Sequence, residues 1–324
     1  MKLIYWILLI SVVVIFGSNF TAVRFGLRYS APIAFSMLRA ALGCLIMIPF
    51  SLYAICSSQR KKASSETSKR SSSSSFPKDA RTLGIIALFG ITSSTFFFGF
   101  WYVGESFVSA SVSSVMVNTS PFFTILLAYL FLKGRIFRQQ ALGLVLGFFG
   151  TFLVATDGSL SNFYGNWQGL VFLLLSALSY ASGLVIYRKY LTRYEGSTIN
   201  TIQLFFAAIG LLVWVLVSDP QSLSQISYTN PTFLDALVYT AVFGSVIANL
   251  IWMALVRHRG PEWFSMWLFL NPVFGVIISA VVIGESLLPI QVLGMILVAF
   301  AIYEINRIFA KHATMTSVSS RASS

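Results

Sequence analysis

A chain of 324 residues that is 56% hydrophobic and only 10% charged is no soluble globular domain, since such domains carry roughly 25% charged residues. Stretches of about 20 nearly uncharged residues recur along it, each long enough to cross a bilayer core of about 30 Å. Runs such as WILLISVVVIF lack the apolar–polar alternation of barrel strands, so the expected class is an all-α polytopic membrane protein.

In chain order, hydropathy places ten spans. Five lie at residues 3–25, 32–56, 82–103, 107–132 and 139–155. The other five lie at 167–187, 198–217, 233–256, 261–283 and 289–309. The first follows Lys2, as a signal peptide would, but no small-x-small cleavage site closes it, and it is read as a retained helix. Between the second and third spans, SSQRKKASSETSKRSSSSSFPKDA holds ten serines and six Lys/Arg. That composition predicts a flexible linker over residues 57–80.

The basic residues orient the spans. With the N-terminus in the cytoplasm, nineteen of the 22 Lys and Arg fall on the cytoplasmic side. Arg24 and Arg28 fall opposite, and Arg39 lies within the second span. The positive-inside rule therefore predicts two cytoplasmic termini, in a bacterial inner membrane. The net charge of +12 is a topology signal, and no nucleic-acid partner is expected. Cys44 and Cys56 are about 18 Å apart along one helix at 1.5 Å per residue, beyond disulfide reach, and are read as packing residues.

The two halves repeat each other at a constant offset of 151 residues. Ser94 meets Ser245, Trp101 meets Trp252, Ser114 meets Ser265, Pro121 meets Pro272 and Phe123 meets Phe274. Gln140, Leu142, Gly143 and Leu146 meet Gln291, Leu293, Gly294 and Leu297. Each copy holds five spans, and an odd number makes the second copy enter the membrane from the opposite side. Such inverted repeats build secondary transporters, with the substrate near the midplane between the copies. The expected division is residues 1–155 and 167–310, joined by 156–166 and followed by a cytoplasmic tail, 311–324.

Pro121 and Pro272 fall near the middle of the fourth and ninth spans. Proline removes a backbone donor and frees a carbonyl one turn earlier, here at Val117 and Leu268. The expectation is a pair of pseudo-symmetric kinks facing a partly polar cavity. The first, third, sixth and eighth helices should complete its wall.

FGSNFTAVRFGL with FSMLRAALG, then SPFFTILLAYLFLKGR and QQALGLVLGFFGTFLVA, resemble the EamA-type branch of the drug/metabolite transporter superfamily. The second half resembles that family's second repeat, from IANLIWMALVRHRGPEWFSMWLFLNPVFGVIISAVVIGESLLPIQVLG. The resemblance implies ten transmembrane helices in two inverted five-helix repeats around a central cavity, carrying small metabolites. Two departures stand out. Gly134-Arg135 occupies the place of the family's Gly-Glu, which Gly284-Glu285 keeps, and Phe16 stands where a tryptophan is usual.

Candidate substrate-binding residues are the polar and aromatic groups inside spans. Arg39 lies about 10 Å deep at 1.5 Å per residue, where a charge faces a cavity or a partner. One reading has it bind a substrate carboxylate, the other has it snorkel or bond freed carbonyls. Asn19, Asn118, Gln203, Asn249 and Asn271 must each find a partner in hydrocarbon. Trp101, Tyr102, Tyr180, Trp252 and Trp267 are candidate aromatic walls, suited to planar rings or to cations. Glu105, Asp157, Asp219, Asp235, Glu285 and Glu304 are read as peripheral, which argues against a buried proton relay. Gly143 and Gly147 form a Gly-x-x-x-Gly pair for close helix packing.

An intramembrane enzyme would need a nucleophile with a base, paired carboxylates or metal ligands in the spans. The only histidines, His258 and His312, fall in a loop and the tail. No catalytic residue, cofactor or metal site is therefore expected. The expected function is secondary transport of a small metabolite by alternating access, with an amino acid as first choice. Nucleosides or nucleoside-derived compounds such as S-adenosylmethionine come second. A coupling ion stays open, as does the oligomeric state.

Overall fold

The computed structural model describes residues 3–63, 79–108, 110–132, 138–156, 167–283 and 288–304. Most of the Ser-rich segment, Asp157, Glu285, His312 and the tail lie outside the described residues. Helices account for nearly all of the rest, with no β-strand among the described residues. We number them α1 (Leu3–Gly26), α2 (Pro32–Ala63), α3 (Ala80–Phe107), α4 (Ala110–Val117), α5 (Ser120–Leu132) and α6 (Arg138–Thr156). Then follow α7 (Trp167–Leu191), α8 (Gly196–Ser218), α9 (Pro231–His258), α10 (Pro261–Trp267), α11 (Leu270–Ile283) and α12 (Pro289–Glu304).

Local chemistry sets several starts. Pro32, Pro231 and Pro261 open their helices, where the missing N–H is no loss and φ is already helical. Asp79 caps α3 by accepting from Thr82 N at 2.9 Å, and Asn230 caps α9 by accepting from Phe233 N at 3.2 Å. Gly260 joins α9 to α10 at φ 94°, a left-handed conformation that glycine adopts without strain.

Seven helical stretches have the length and apolarity to span a bilayer: α1, residues 32–54 of α2, α3, residues 112–132, α7, α8 and α9. Their outer faces are apolar. Leu130, Phe131, Leu216, Val217 and Phe205 are all exposed. Water would not tolerate such a continuous apolar surface, whereas lipid matches it, and helices leave no backbone group unpaired there. The chain is an integral membrane protein. The expected fifth and tenth spans include the shorter apolar helices Ala141–Val154 and Pro289–Glu304.

The prolines refine one expectation. Each stands just after a short interruption of its span. The chain breaks between α4 and α5 at Asn118–Thr119, and between α10 and α11 at Leu268–Phe269. Each break is a tightened last turn: Thr119 N donates to Met116 O at 3.1 Å, and Leu268 N to Ser265 O at 3.2 Å. Pro121 and Pro272 then sit in the first turn of the following helix, where proline is accommodated. The Leu268 carbonyl is not left free, because Asn271 N donates to it at 2.9 Å.

Two further expectations shift. α2 runs on to Ala63, past the expected end, and leaves Cys56 exposed rather than packed, while Cys44 is buried. Close helix packing rests on Gly147, Gly150 and Gly294. A Cβ on Gly150 would lie 2.8 Å from Gly294 O, and one on Gly147 would lie 2.8 Å from the Phe269 ring. Glycine there lets α6 and α12 approach backbone to backbone.

The helices enclose two large apolar clusters. One gathers Leu9, Phe89, Trp252, Phe264 and Phe269, the other Phe20, Phe35, Phe98, Trp101 and Leu211. Between them lies a cavity whose largely apolar wall carries several polar groups.

Candidate functional site

The cavity measures about 60 Å³. It draws side chains from α1 to α5, from α7 to α9 and from α11, with Asn118 and Leu268 supplied by the breaks. Nine of the eleven expected residues line it: Asn19, Arg39, Trp101, Asn118, Tyr180, Gln203, Asn249, Trp252 and Asn271. Arg39 and Gln203 come from the second and seventh spans, which were not among the helices named as the wall.

Arg39 is the only charged lining residue and is 2% exposed. Its Nε donates to Ser245 Oγ at 2.8 Å and its Nη1 to Tyr102 Oη at 2.6 Å. The guanidinium lies 4.2 Å over the Phe98 ring, a cation–π contact that strengthens in a dry site. No carboxylate pairs with it among the described residues. Nη2 points past Gly244, where a Cβ would come within 2.7 Å of it. Arg39 thus neither snorkels nor bonds freed carbonyls.

The amide nitrogens are held within the protein. Asn19 Nδ2 donates to Ile15 O at 3.0 Å and Asn118 Nδ2 to Ser114 O at 2.6 Å. Asn249 Nδ2 donates to Asn200 Oδ1 at 3.3 Å and Asn271 Nδ2 to Asn118 Oδ1 at 3.4 Å. Gln203 Nε2 donates to Ser93 Oγ at 3.0 Å and Ser94 Oγ at 2.7 Å. Three amide oxygens have no partner: Asn19 Oδ1, Gln203 Oε1 and Asn271 Oδ1. An unpaired buried polar atom costs about 1–3 kcal/mol. Three in one cavity therefore mark a place for hydrogen-bond donors from a ligand or water.

The remaining wall is aromatic. Phe97 lies 5.0 Å from Tyr180 and 5.6 Å from Trp101, and Tyr180 lies 6.3 Å from Trp252. Tyr180 Oη and Trp252 Nε1 are both buried without a well-formed hydrogen bond.

Two expected residues are elsewhere. Tyr102 is fully buried behind Arg39 as its hydrogen-bond acceptor. Trp267 packs edge-on against Trp6 at 5.3 Å and beside Trp263 at 5.8 Å. Pro121 and Pro272 are buried without lining the cavity.

Residues missed by the sequence reading include Phe97, Phe98, Ser93 and Gly244 in the wall, and Ser245 behind it. Ser245 carried a signal, its match to Ser94; the phenylalanines carried none, being indistinguishable from lipid-facing ones. Glu105 corrects the reading of the acids as peripheral. It lies at the end of α3 as expected but is fully buried, accepting from Trp101 Nε1 at 2.6 Å and Ser113 Oγ at 3.0 Å. Asp235 is exposed and Asp219 caps the end of α8. Among the described residues no three His, Cys, Asp or Glu converge as a metal site requires.

Comparisons with known proteins agree with this architecture. A solved helical structure superposes with a TM-score of 0.72 at 11% identity, covering 95% of this chain and 98% of that one, a likeness of fold. An uncharacterized transporter of Archaeoglobus fulgidus is 24% identical over 93% of this chain and 98% of its own. A probable amino-acid metabolite efflux pump of Salmonella typhimurium is 26% identical over 90% of this chain and 91% of its own. The EamA-like transporter family matches twice, over residues 3–156 and 167–307. A polytopic helical chain that matches the family along both halves, around one central cavity, belongs to the EamA-like transporter family.

Proposed function

We propose that this membrane transporter carries an amino acid by alternating access, with Arg39 as the receptor for its carboxylate. The observation that carries the reading is a single unneutralised guanidinium beside three unpartnered amide oxygens. A zwitterion is complementary to both: its carboxylate to Arg39 Nη2, its ammonium to Asn19, Gln203 and Asn271. The aromatic wall suits a bulky or aromatic side chain, and the Salmonella relative's name points to the same class.

The reciprocal use of the two halves supports the inverted-repeat reading. α3 and α9 each contain a π-helical segment, Ile91–Phe96 and Thr240–Ile247, holding the matched Ser94 and Ser245. Each serine accepts from the helix that precedes its counterpart, Ser245 from Arg39 of α2 and Ser94 from Gln203 of α8. Two halves that grip each other this way exchange roles when the cavity opens to the other side. Ten spans follow from counting residues 112–132 and 261–283 as one each, with both termini cytoplasmic by the positive-inside rule. Hydrophobic helices of this kind belong to a bacterial inner membrane, outer-membrane spans being barrels.

A nucleoside or S-adenosylmethionine is the second reading, favoured by the aromatic wall on which a planar base would stack. Counterflow uptake into proteoliposomes separates the two. Vesicles preloaded with one unlabelled metabolite should accumulate the matching labelled one without an ion gradient. Accumulation of nucleosides and not of amino acids would replace the first reading with the second. Failure with every metabolite in vesicles holding folded protein would reject both.

A further inference from the structure

Trp101 and Trp252, matched at the 151-residue offset, both line the cavity, but their surroundings differ. One helical turn after Trp101 stands Glu105; one turn after Trp252 stands Val256. The two halves thus differ by a buried acid directly behind a cavity wall.

Glu105 is 0% exposed and lies in a stretch apolar enough to span a membrane. Both hydrogen bonds to its carboxyl fall on one oxygen: Oε2 accepts from Trp101 Nε1 at 2.6 Å and from Ser113 Oγ at 3.0 Å. Oε1 is buried with no partner. Arg24 is close enough to act on it electrostatically, but no hydrogen bond joins its guanidinium to the carboxyl. Arg24 Nη1 donates instead to the backbone oxygens of Glu105 at 3.0 Å and Val108 at 3.4 Å. Other charged or titratable groups on the packed elements are Arg39 of α2, which bonds Tyr102 and Ser245, and Tyr102 of α3. α7 faces this end with Gly169 and Leu173, which are neutral.

A carboxylate with one bare oxygen and no cation in direct contact is costly to bury, whereas a neutral carboxyl whose carbonyl oxygen accepts two hydrogen bonds is far less so. Burial of this site therefore asks for a proton on Oε1, and ionisation asks for water or the Arg24 guanidinium to reach that oxygen. The two protonation states favour different packings of the outer ends of α1, α3 and α4.

We propose that Glu105 is a proton-carrying residue that couples transport to proton movement, with Trp101 linking it to the cavity. The proposal rests on the carrier reading above. Glu105 Oε1 takes a proton from water on one side and returns it to water on the other. No covalent bond to substrate forms, and one positive charge moves per cycle in addition to the substrate's own. Through the Trp101 N–H, the charge on Oε2 alters how firmly the indole is held at the cavity wall. Val256 gives the other half no such group.

Two measurements on the full-length protein test this. The first uses protons alone. Infrared difference spectra of the purified protein across a pH series should contain a protonated-carboxyl band that titrates and is absent from Glu105→Gln. Ser113→Ala removes one donor to Oε2 and should displace the midpoint of that band; it stands in if Glu105→Gln does not fold. A titrating band unchanged by both variants, or no titrating band at all, overturns the proposal.

The second uses proteoliposomes and the labelled amino acids positive in counterflow. One pH unit across the membrane should drive about tenfold accumulation by the wild type at one proton per substrate, a factor worth 1.4 kcal/mol. Glu105→Gln should lose that accumulation, and its exchange rate should no longer vary with pH. Accumulation by Glu105→Gln equal to wild type, or counterflow by wild type with no response to the gradient, overturns proton coupling while leaving the carrier reading intact. If no amino acid shows counterflow, the carrier reading fails in that form, and the infrared titration still decides whether Glu105 carries a proton.

Discussion

Ser94 and Ser245, 151 residues apart in sequence, occupy π-helical segments of α3 and α9, and each accepts a hydrogen bond from the other half of the chain, at 2.7 Å from Gln203 and 2.8 Å from Arg39. A π turn inserts an extra residue into the helical spacing, and here it accompanies a hydroxyl held against the neighbouring helix. The pair is not chemically symmetric: one donor is charged and the other is an amide. The contact is thus shared by the two halves, while the charge resides in one of them.

Ser245→Ala should leave the fold intact and weaken substrate binding. The substitution removes the acceptor that fixes Arg39 Nε, and a hydrogen bond to a charged group contributes about 1.5–3 kcal/mol. Half-saturation in counterflow should rise by about tenfold to a hundredfold, with the amount of reconstituted protein unchanged. Ser94→Ala should do less, because Gln203 keeps its second hydrogen bond to Ser93.

Gly244→Ala should close the cavity beside Arg39. Its methyl would lie 2.7 Å from Arg39 Nη2 and 2.8 Å from both the nitrogen and the oxygen of the Asn19 amide. Relief requires moving two buried polar groups, an overpacking cost of about 1–3 kcal/mol. Binding measured by tryptophan fluorescence or thermal shift should be lost while the protein still purifies as a folded species.

Pro121→Ala should be better tolerated than Asn118→Leu. The proline sits in the first turn of α5, where its replacement changes stability by about 1 kcal/mol, chiefly through the unfolded chain. Asn118 bonds Ser114 O and accepts from Asn271 across the cavity, so leucine there strands the Asn271 amide. Transport retained by Pro121→Ala and lost by Asn118→Leu is the expected result; the reverse order would make the proline the functional element.

Asp79 gives the start of α3 a pH dependence. Hydrogen bonds from the Thr82 hydroxyl, at 2.5 Å, and from its backbone N–H hold the Asp79 carboxyl below its ordinary value of 3.8. A group lowered by folding stabilises above its unfolded pKa and loses that contribution as pH falls through the folded value. Amide exchange in the first turn of α3 should accelerate from about pH 4 downward. In Asp79→Ala it should be fast at every pH.

The membrane class, the seven long apolar helices and the matched serines were legible because each rests on local or periodic signals. Twenty apolar residues make a helix in lipid whatever surrounds them, and a buried amide or arginine in such a run is conspicuous because it is costly. Nine of the eleven candidate residues reach the cavity for that reason. How the chain turns at the two prolines was not legible, because sequence shows a proline but not the hydrogen bonds around it.

What only the tertiary structure decided is which apolar residues face inward, and what neighbours each polar group finds. Phe97 and Phe98 cannot be told from lipid-facing phenylalanines until α3 is packed, and Trp267 lies against Trp6 and Trp263 instead of the cavity. Arg39 as a clamped but unneutralised cation, and Glu105 as a buried acid rather than a surface one, depend on contacts between residues far apart in the chain: Arg39 with Ser245, Arg24 with the Glu105 backbone. In a membrane, composition decides that a chain spans it. The energy of an isolated charge in hydrocarbon depends on the few atoms around it, and those are brought there by the fold.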